Sequence, residues 1–250
     1  MRRIAVHLLL LGMAALTPVG ALGAEITVIA SNAAKEAVLE LIPVFEKSSG
    51  HKVTMIWAGT EAITKRISGG EVVDVVLIAA PNIDKLISEK KIVEGSRTNI
   101  AKSGIGVAVR AGLPKPDISS GDAVKKAVLD AKSVAYSSGP SGFYIAELLK
   151  KMGIAEHIKD KVKQTPSGVQ VGEVVARGDA DLGFQQISEL LHVKGIHYLG
   201  PLPPEIQHLT IWSTGIHSAA PSPDAAKALV KYLSGPDAGT SIRKAGMEPG

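Results

Sequence analysis

Short β-branched runs alternate with amphipathic helical stretches along most of this chain, and that alternation limits the folds open to it. "EITVIA" (Glu25 to Ala30), "KVTMIW" (Lys52 to Trp57) and "VVDVVLIAA" (Val72 to Ala80) read as strands. The third is apolar almost throughout, as a strand covered on both faces should be. Between them lie helical stripes: Ala34, Val38, Leu41, Ile42 and Phe45, then Ile63 and Ile67 ahead of Gly69-Gly70. Pro43 falls inside the first stripe, which predicts a kink or break there. A helix around Ile83, Leu86 and Ile87 follows, and "SGIGVAVRAGLPKP" then runs a strand into a turn, so a domain crossing is expected near Ser103 to Ile105.

Beyond the crossing the pattern repeats. Helices are predicted over Asp122 to Ala131, from Ser141 to Gly153, and over Gly168 to Arg177; strands are predicted at "SVAY", "DLGFQ" and "GIHYLG". "HLTIWSTGI" (His208 to Ile216) reads as a strand returning to the first unit, and helices over Pro223 to Leu233 and Pro236 to Ala245 close the chain. Alternating β and α units imply parallel sheets with right-handed crossovers. The expected fold is therefore α/β in two lobes: residues 25–103 with 211–250, and residues 104–210. Each is a sheet flanked by helices, with two crossing strands and a cleft between. Guests of such sheets sit where strands end and helices begin.

The first residues carry a separate message. "MRRIAVHLLLLGMAALTPVGALGA" places two arginines before an apolar run that ends in small residues, the pattern of a cleaved secretory signal peptide over residues 1–24. The run is too short to serve as a membrane-spanning helix. The sequence has no cysteine, which closes the lipoprotein route and leaves an exported, periplasmic chain to be held by its core alone. The formal net charge of +4 falls to +2 without Arg2 and Arg3, too little and too dispersed for a nucleic-acid partner.

Four strand-to-helix junctions share a chemistry. Ser31-Asn32 follows "EITVIA", Gly59-Thr60 follows "MIWA", Ser137 to Gly142 follows "SVAY", and Ser167-Gly168 follows "VKQTP". Ser, Thr, Asn and Gly are favoured N-caps of any helix, so one such junction alone means capping. Four in an α/β pattern point further. A helix start offers unpaired N–H groups and partial positive charge, small residues admit an anion to the backbone, and hydroxyls add donors. Such a set would hold an oxyanion without arginine or lysine.

"ITVIASNAAKEAVLELIPVF", "WAGTEAITKRISGGEVVDVVLIAA", "PSGFYIAELLKKMGI", "ARGDADLGF" and "YLSGPDAGTSIRKAGMEP" together resemble the periplasmic molybdate-binding proteins of ABC importers, over essentially the whole chain after the signal peptide. The resemblance implies a two-lobed binding protein, expected as a monomer. It would hold molybdate or tungstate through neutral hydrogen bonds and deliver it to an inner-membrane permease. No cofactor, no covalent step and no metal site are implied; molybdenum enters only as the oxyanion. Thr60 falls where the family has a ligand-binding serine. Ser141 and Val169 fall where backbone N–H groups bind the anion. Three positions depart: the first-loop serine falls on Ala33, after Ser31 and Asn32; the far-lobe tyrosine falls near Gln186, beside Gln185; and Glu61 replaces a small hydroxyl residue. The expected contacts are Ser31, Asn32, Thr60, Ser141, Val169 and Gln186, and the departures leave a small organic acid open as the guest.

Rival chemistries are weakly signalled. His51, His157, His192, His197, His208 and His217 assemble no metal motif. "GPSGF" has Phe143 where a nucleophile elbow needs glycine, yet an exported hydrolase using Ser141 stands as the alternative from another class. A sensory receptor in place of a permease is a further possible partner.

Overall fold

The computed structural model describes residues 23–250; nearly all of the expected signal peptide lies outside them. The first half reads β1 (Glu25–Ser31), a 3-10 turn (Asn32–Ala34), α1 (Lys35–Ser49), β2 (Lys52–Ala58), α2 (Thr60–Ser68), β3 (Val75–Ala79), α3 (Ala80–Ser88) and β4 (Thr98–Ser103). Gly104 alone separates β4 from β5 (Ile105–Arg110). Then come α4 (Gly121–Asp130), β6 (Val134–Ser137), α5 (Pro140–Lys151), α6 (Ala155–Ile158), β7 (Val162–Thr165), α7 (Val171–Ala176), β8 (Leu182–Gln186), α8 (Ile187–Leu190) and β9 (Ile196–Pro201). β10 (Thr210–Ile216), α9 (Pro223–Leu233), α10 (Gly239–Lys244) and β11 (Glu248–Pro249) complete the chain.

These strands form two sheets, in the orders β11-β4-β10-β3-β1-β2 and β7-β6-β8-β5-β9. The expected wholly parallel sheets need correction. β1 pairs parallel with β2 and β3, and β6 with β7 and β8, but β10 runs antiparallel to β3 and β4, and β5 antiparallel to β8 and β9. The crossing segments enter each sheet from its neighbour rather than through a helical crossover, so the right-handed βαβ rule does not bind them.

Strand alternation divides each core in two. In the first sheet Ile26, Val28 and Ala30 pack with α1, α9 and α10, through Leu41, Phe45 and Leu229. Ile29, Val76 and Ile78 face α2 and α3, through Ile63, Ile67, Ile83 and Leu86. In the second, Ile105, Val107 and Phe184 meet α4 and α5 through Val128, Ile145 and Leu149. Ala135 packs on the other face with Val171 and Val175 of α7. Each fully buried aliphatic side chain contributes roughly 1.5–3 kcal/mol.

α1 runs unbroken through Pro43. Pro43 and Leu39, four residues back, both face solvent, so water can satisfy the carbonyl that loses its donor. Two predicted helices are shorter than the periodicity suggested. Residues 168–170 stay outside α7, and the last helix breaks into a 3-10 turn (Pro236–Ala238) and α10.

Side-chain amides staple the crossing. Gln207 accepts from the Ile105 N–H at 2.8 Å and donates to the Ile105 carbonyl at 3.0 Å. Gln186, in the orientation that satisfies both ends of its amide, donates to the Ser103 and Gly104 carbonyls at 3.1 and 3.3 Å and accepts from the Thr210 hydroxyl at 2.8 Å.

Candidate functional site

The C-terminal ends of β1, β2, β6, β7 and β8 converge between the lobes. Ser31, Asn32, Gly59, Thr60, Ser137, Ser141, Ser167, Gly168, Val169, Gln185, Gln186, Glu189 and Trp212 all line one small cavity of about 30 Å³. All six residues expected from the sequence are among them.

Local sequence explains each approach. Gly139 is the N-cap of α5 and Pro140 its first residue, where the missing N–H is no loss. A Cβ on Gly142 would lie 1.6 Å from the Ser137 carbonyl oxygen, so only glycine lets α5 begin this close to the end of β6. That proximity sets the buried Ser141 hydroxyl 3.3 Å from that of Ser137. Ser137 is its one side-chain hydrogen-bond partner among the described residues, with no imidazole or carboxylate bonded to it.

Across the cleft, Ser31 caps the first turn by accepting from the Ala33 N–H at 3.4 Å. Thr60, 2% exposed, opens α2; its Oγ1 is buried without a hydrogen-bond partner, and so is the indole Nε1 of Trp212. Glu61 turns away from the cavity, accepting from Asn82 at 3.2 Å.

Two hydrogen bonds hold the lobes together over the cavity. Asn32 Nδ2 donates to the Gly168 carbonyl and the Ala62 N–H donates to Ser167 Oγ, both at 3.2 Å. Gly59 permits the closure, since a Cβ there would stand 2.2 Å from Ser167 Oγ and 2.6 Å from the Gly168 nitrogen. Two expected contacts are otherwise engaged. The Val169 N–H donates to the Pro166 carbonyl at 3.0 Å, and Gln186 is tied to the crossing strands.

The cavity's electrostatics are unusual for an anion site. Among the described residues no lysine, arginine or histidine lines it. Its one ionisable group is Glu189, whose carboxyl is pushed up from 4.5 to about 7 because burial penalises its charge; a hydrogen bond from Gln185 opposes the rise. Gln185 in turn accepts from the Gly172 N–H at 3.2 Å. The sequence reading placed Ser137 in a candidate junction without counting it among the contacts, and missed Glu189 and the Trp212 donor. A signal for Glu189 existed: "DLGFQ" runs on into Gln186 at a fifth strand-to-helix junction, and Glu189 lies in the first turn beyond it. Among the described residues no cluster of side chains suits a metal ion, and no helix is long and apolar enough to cross a membrane.

Two α/β lobes whose helix starts meet over a shared cavity define a two-lobed solute-binding protein of the periplasmic type. The chain belongs to the bacterial extracellular solute-binding protein family, whose model matches residues 26–248. It is similar to Aconitate isomerase from Pseudomonas sp., 38% identical over 90% of this chain and 87% of that one. It is also similar to Molybdate-binding protein ModA from Azotobacter vinelandii, 31% identical over 80% of both. Among solved structures, the periplasmic molybdate-binding protein of Azotobacter vinelandii superposes with a TM-score of 0.76 at 20% identity, covering 89% of this chain and 98% of that one.

Proposed function

We propose that the protein captures a small oxyanion between its lobes and hands it to an ABC permease, with molybdate or tungstate as the guest its likeness to Molybdate-binding protein ModA suggests. One observation carries this reading. Thr60 Oγ1 and Trp212 Nε1 are buried, unpartnered donors on the wall of a cavity that no cationic side chain lines. A buried donor left unsatisfied costs about 1–3 kcal/mol, and a charged acceptor between the lobes removes that cost. The Ser31, Ser137 and Ser141 hydroxyls lie in the same wall and have rotors free to follow an anion. The proposed contacts are Ser31, Asn32, Thr60, Ser141 and Trp212, with Val169 and Gln186 joining if their present hydrogen bonds rearrange. Export through the signal peptide, and action as a monomer in the periplasm, belong to the same reading.

A second reading has its own support. The expected far-lobe tyrosine is replaced by Gln185-Gln186, and a relative 38% identical is named Aconitate isomerase. These favour an organic polycarboxylate, one of whose carboxylates occupies the donor-lined cavity.

Thermal unfolding against molybdate, tungstate, sulfate, phosphate, citrate and cis- and trans-aconitate separates the two. At a thousandfold excess over Kd the native state gains about 4 kcal/mol, a shift of several degrees. Stabilisation by tungstate or molybdate alone supports the first reading, and by aconitate alone the second. Stabilisation by none of these anions refutes both.

A further inference from the structure

The donor-lined cavity adjoins a second, of about 490 Å³, between the start of α1 and the helices α7 and α8. Asn32 and Glu189 line both cavities. The larger one carries Lys35, Arg177, His192 and Lys194 against Glu36 and Glu173. Arg177 pairs with Asp179 at 3.0 Å, whereas Lys35 and Lys194 make no ion pair among the described residues. Ser188, beside Glu189 and 3% exposed, turns a hydroxyl without a partner into this wall. A neutral cradle for one anionic group thus adjoins a roomier groove with cations for others, and a carboxyl stands at the junction.

We propose that the protein binds an unsaturated polycarboxylate across both cavities and that Glu189 moves a proton between two of its carbons, shifting the double bond. The inference rests on the polycarboxylate reading above. A guest seated with one carboxylate among Thr60, Ser31 and Trp212, and another near Lys35 and Lys194, places the carbons between them beside Glu189. The ionised Glu189 takes a proton from a methylene that lies between a carbon–carbon double bond and a carboxylate. The C–H electron pair becomes the new double bond. The old π pair becomes a C–H bond at the far allylic carbon, which receives the proton back from Glu189. Substrate and product have the same composition, and no oxidant, cofactor or water is consumed. Charge that develops on the substrate carboxylate meets the uncharged donors of the cradle, fixed dipoles of the kind that stabilise an oxyanion as it forms. The raised affinity of Glu189 for a proton suits a group that must both accept and return one near neutral pH.

The test uses the mature protein with cis- and trans-aconitate as probes. Interconversion is followed by chromatography, and exchange of substrate C–H for deuterium by NMR in D2O. The wild type is expected to interconvert the two acids and to bring solvent deuterium into them. Glu189→Gln keeps the side chain's shape and should retain thermal stabilisation by aconitate while losing at least about 100-fold in rate. Interconversion by the variant within threefold of wild type overturns the inference. So does a wild type that is stabilised by aconitate yet neither isomerises it nor exchanges its hydrogens, a result that leaves the polycarboxylate reading intact. Absence of any stabilisation by aconitate overturns both together.

Discussion

Replacing Gly59 with alanine should separate lobe closure from lobe stability. Gly59 has ordinary extended dihedrals (φ −78°, ψ 151°), so alanine fits the backbone. As N-cap of α2, glycine is modestly better than alanine, and ligand-free stability should fall by no more than about 1 kcal/mol. Closure is another matter. The new Cβ would stand 2.6 Å from the backbone nitrogen of Gly168, where ordinary contact begins at 3.4 Å. The lobes must draw apart by roughly 1 Å along that line. That distance breaks both cross-cleft hydrogen bonds, from Ala62 to Ser167 and from Asn32 to Gly168. At about 1 kcal/mol each, their loss shifts the closed-to-open equilibrium by about 2 kcal/mol, or roughly 30-fold. Affinity for whichever anion the wild type binds should fall by that factor in calorimetry, and scattering should show less compaction on ligand addition. Affinity within threefold of wild type, with full compaction, would refute the assignment of Gly59 to closure.

Three other outcomes follow from the same geometry. Thr60→Val removes a hydroxyl that has no protein partner; ligand-free stability should hold or rise by up to about 1 kcal/mol while affinity falls by about tenfold or more, and unchanged affinity takes Thr60 out of the site. Glu189 binds its proton more tightly folded than unfolded. Ligand-free stability should therefore decline as pH rises from about 4.5 to about 7, by roughly 1–3 kcal/mol, and urea titrations of Glu189→Gln should lack that slope. Gln186→Leu strips the Ser103 and Gly104 carbonyls of a buried donor and should lower the urea midpoint by an amount equivalent to about 2 kcal/mol; an unmoved midpoint would show that the amide does not bind the crossing together.

The sequence by itself determined what local forces determine. Alternating periods placed most strands and helices, because a buried sheet face and a helix stripe each need apolar residues at fixed spacing. Small polar residues at the junctions after β1, β2 and β6 marked residues that line the cavity between the lobes, since unpaired N–H groups at a helix start must be satisfied from nearby in the chain. Pro43 misled for the same reason, because the local rule cannot tell which side of α1 faces water. Tertiary structure decided what depends on partners far along the chain. Nothing near Asn32 announces Gly168, 136 residues on, and nothing near Gly59 announces Ser167. Nothing near Gln186 announces that β4 and the start of β10 close around its amide. Nothing around Trp212 in the sequence shows that its N–H would face the cavity between the lobes without a partner. Glu189 is an ordinary surface-type residue in the sequence; its altered proton affinity comes from water that the folded lobes exclude, and removal of solvent is a property of the assembled cleft.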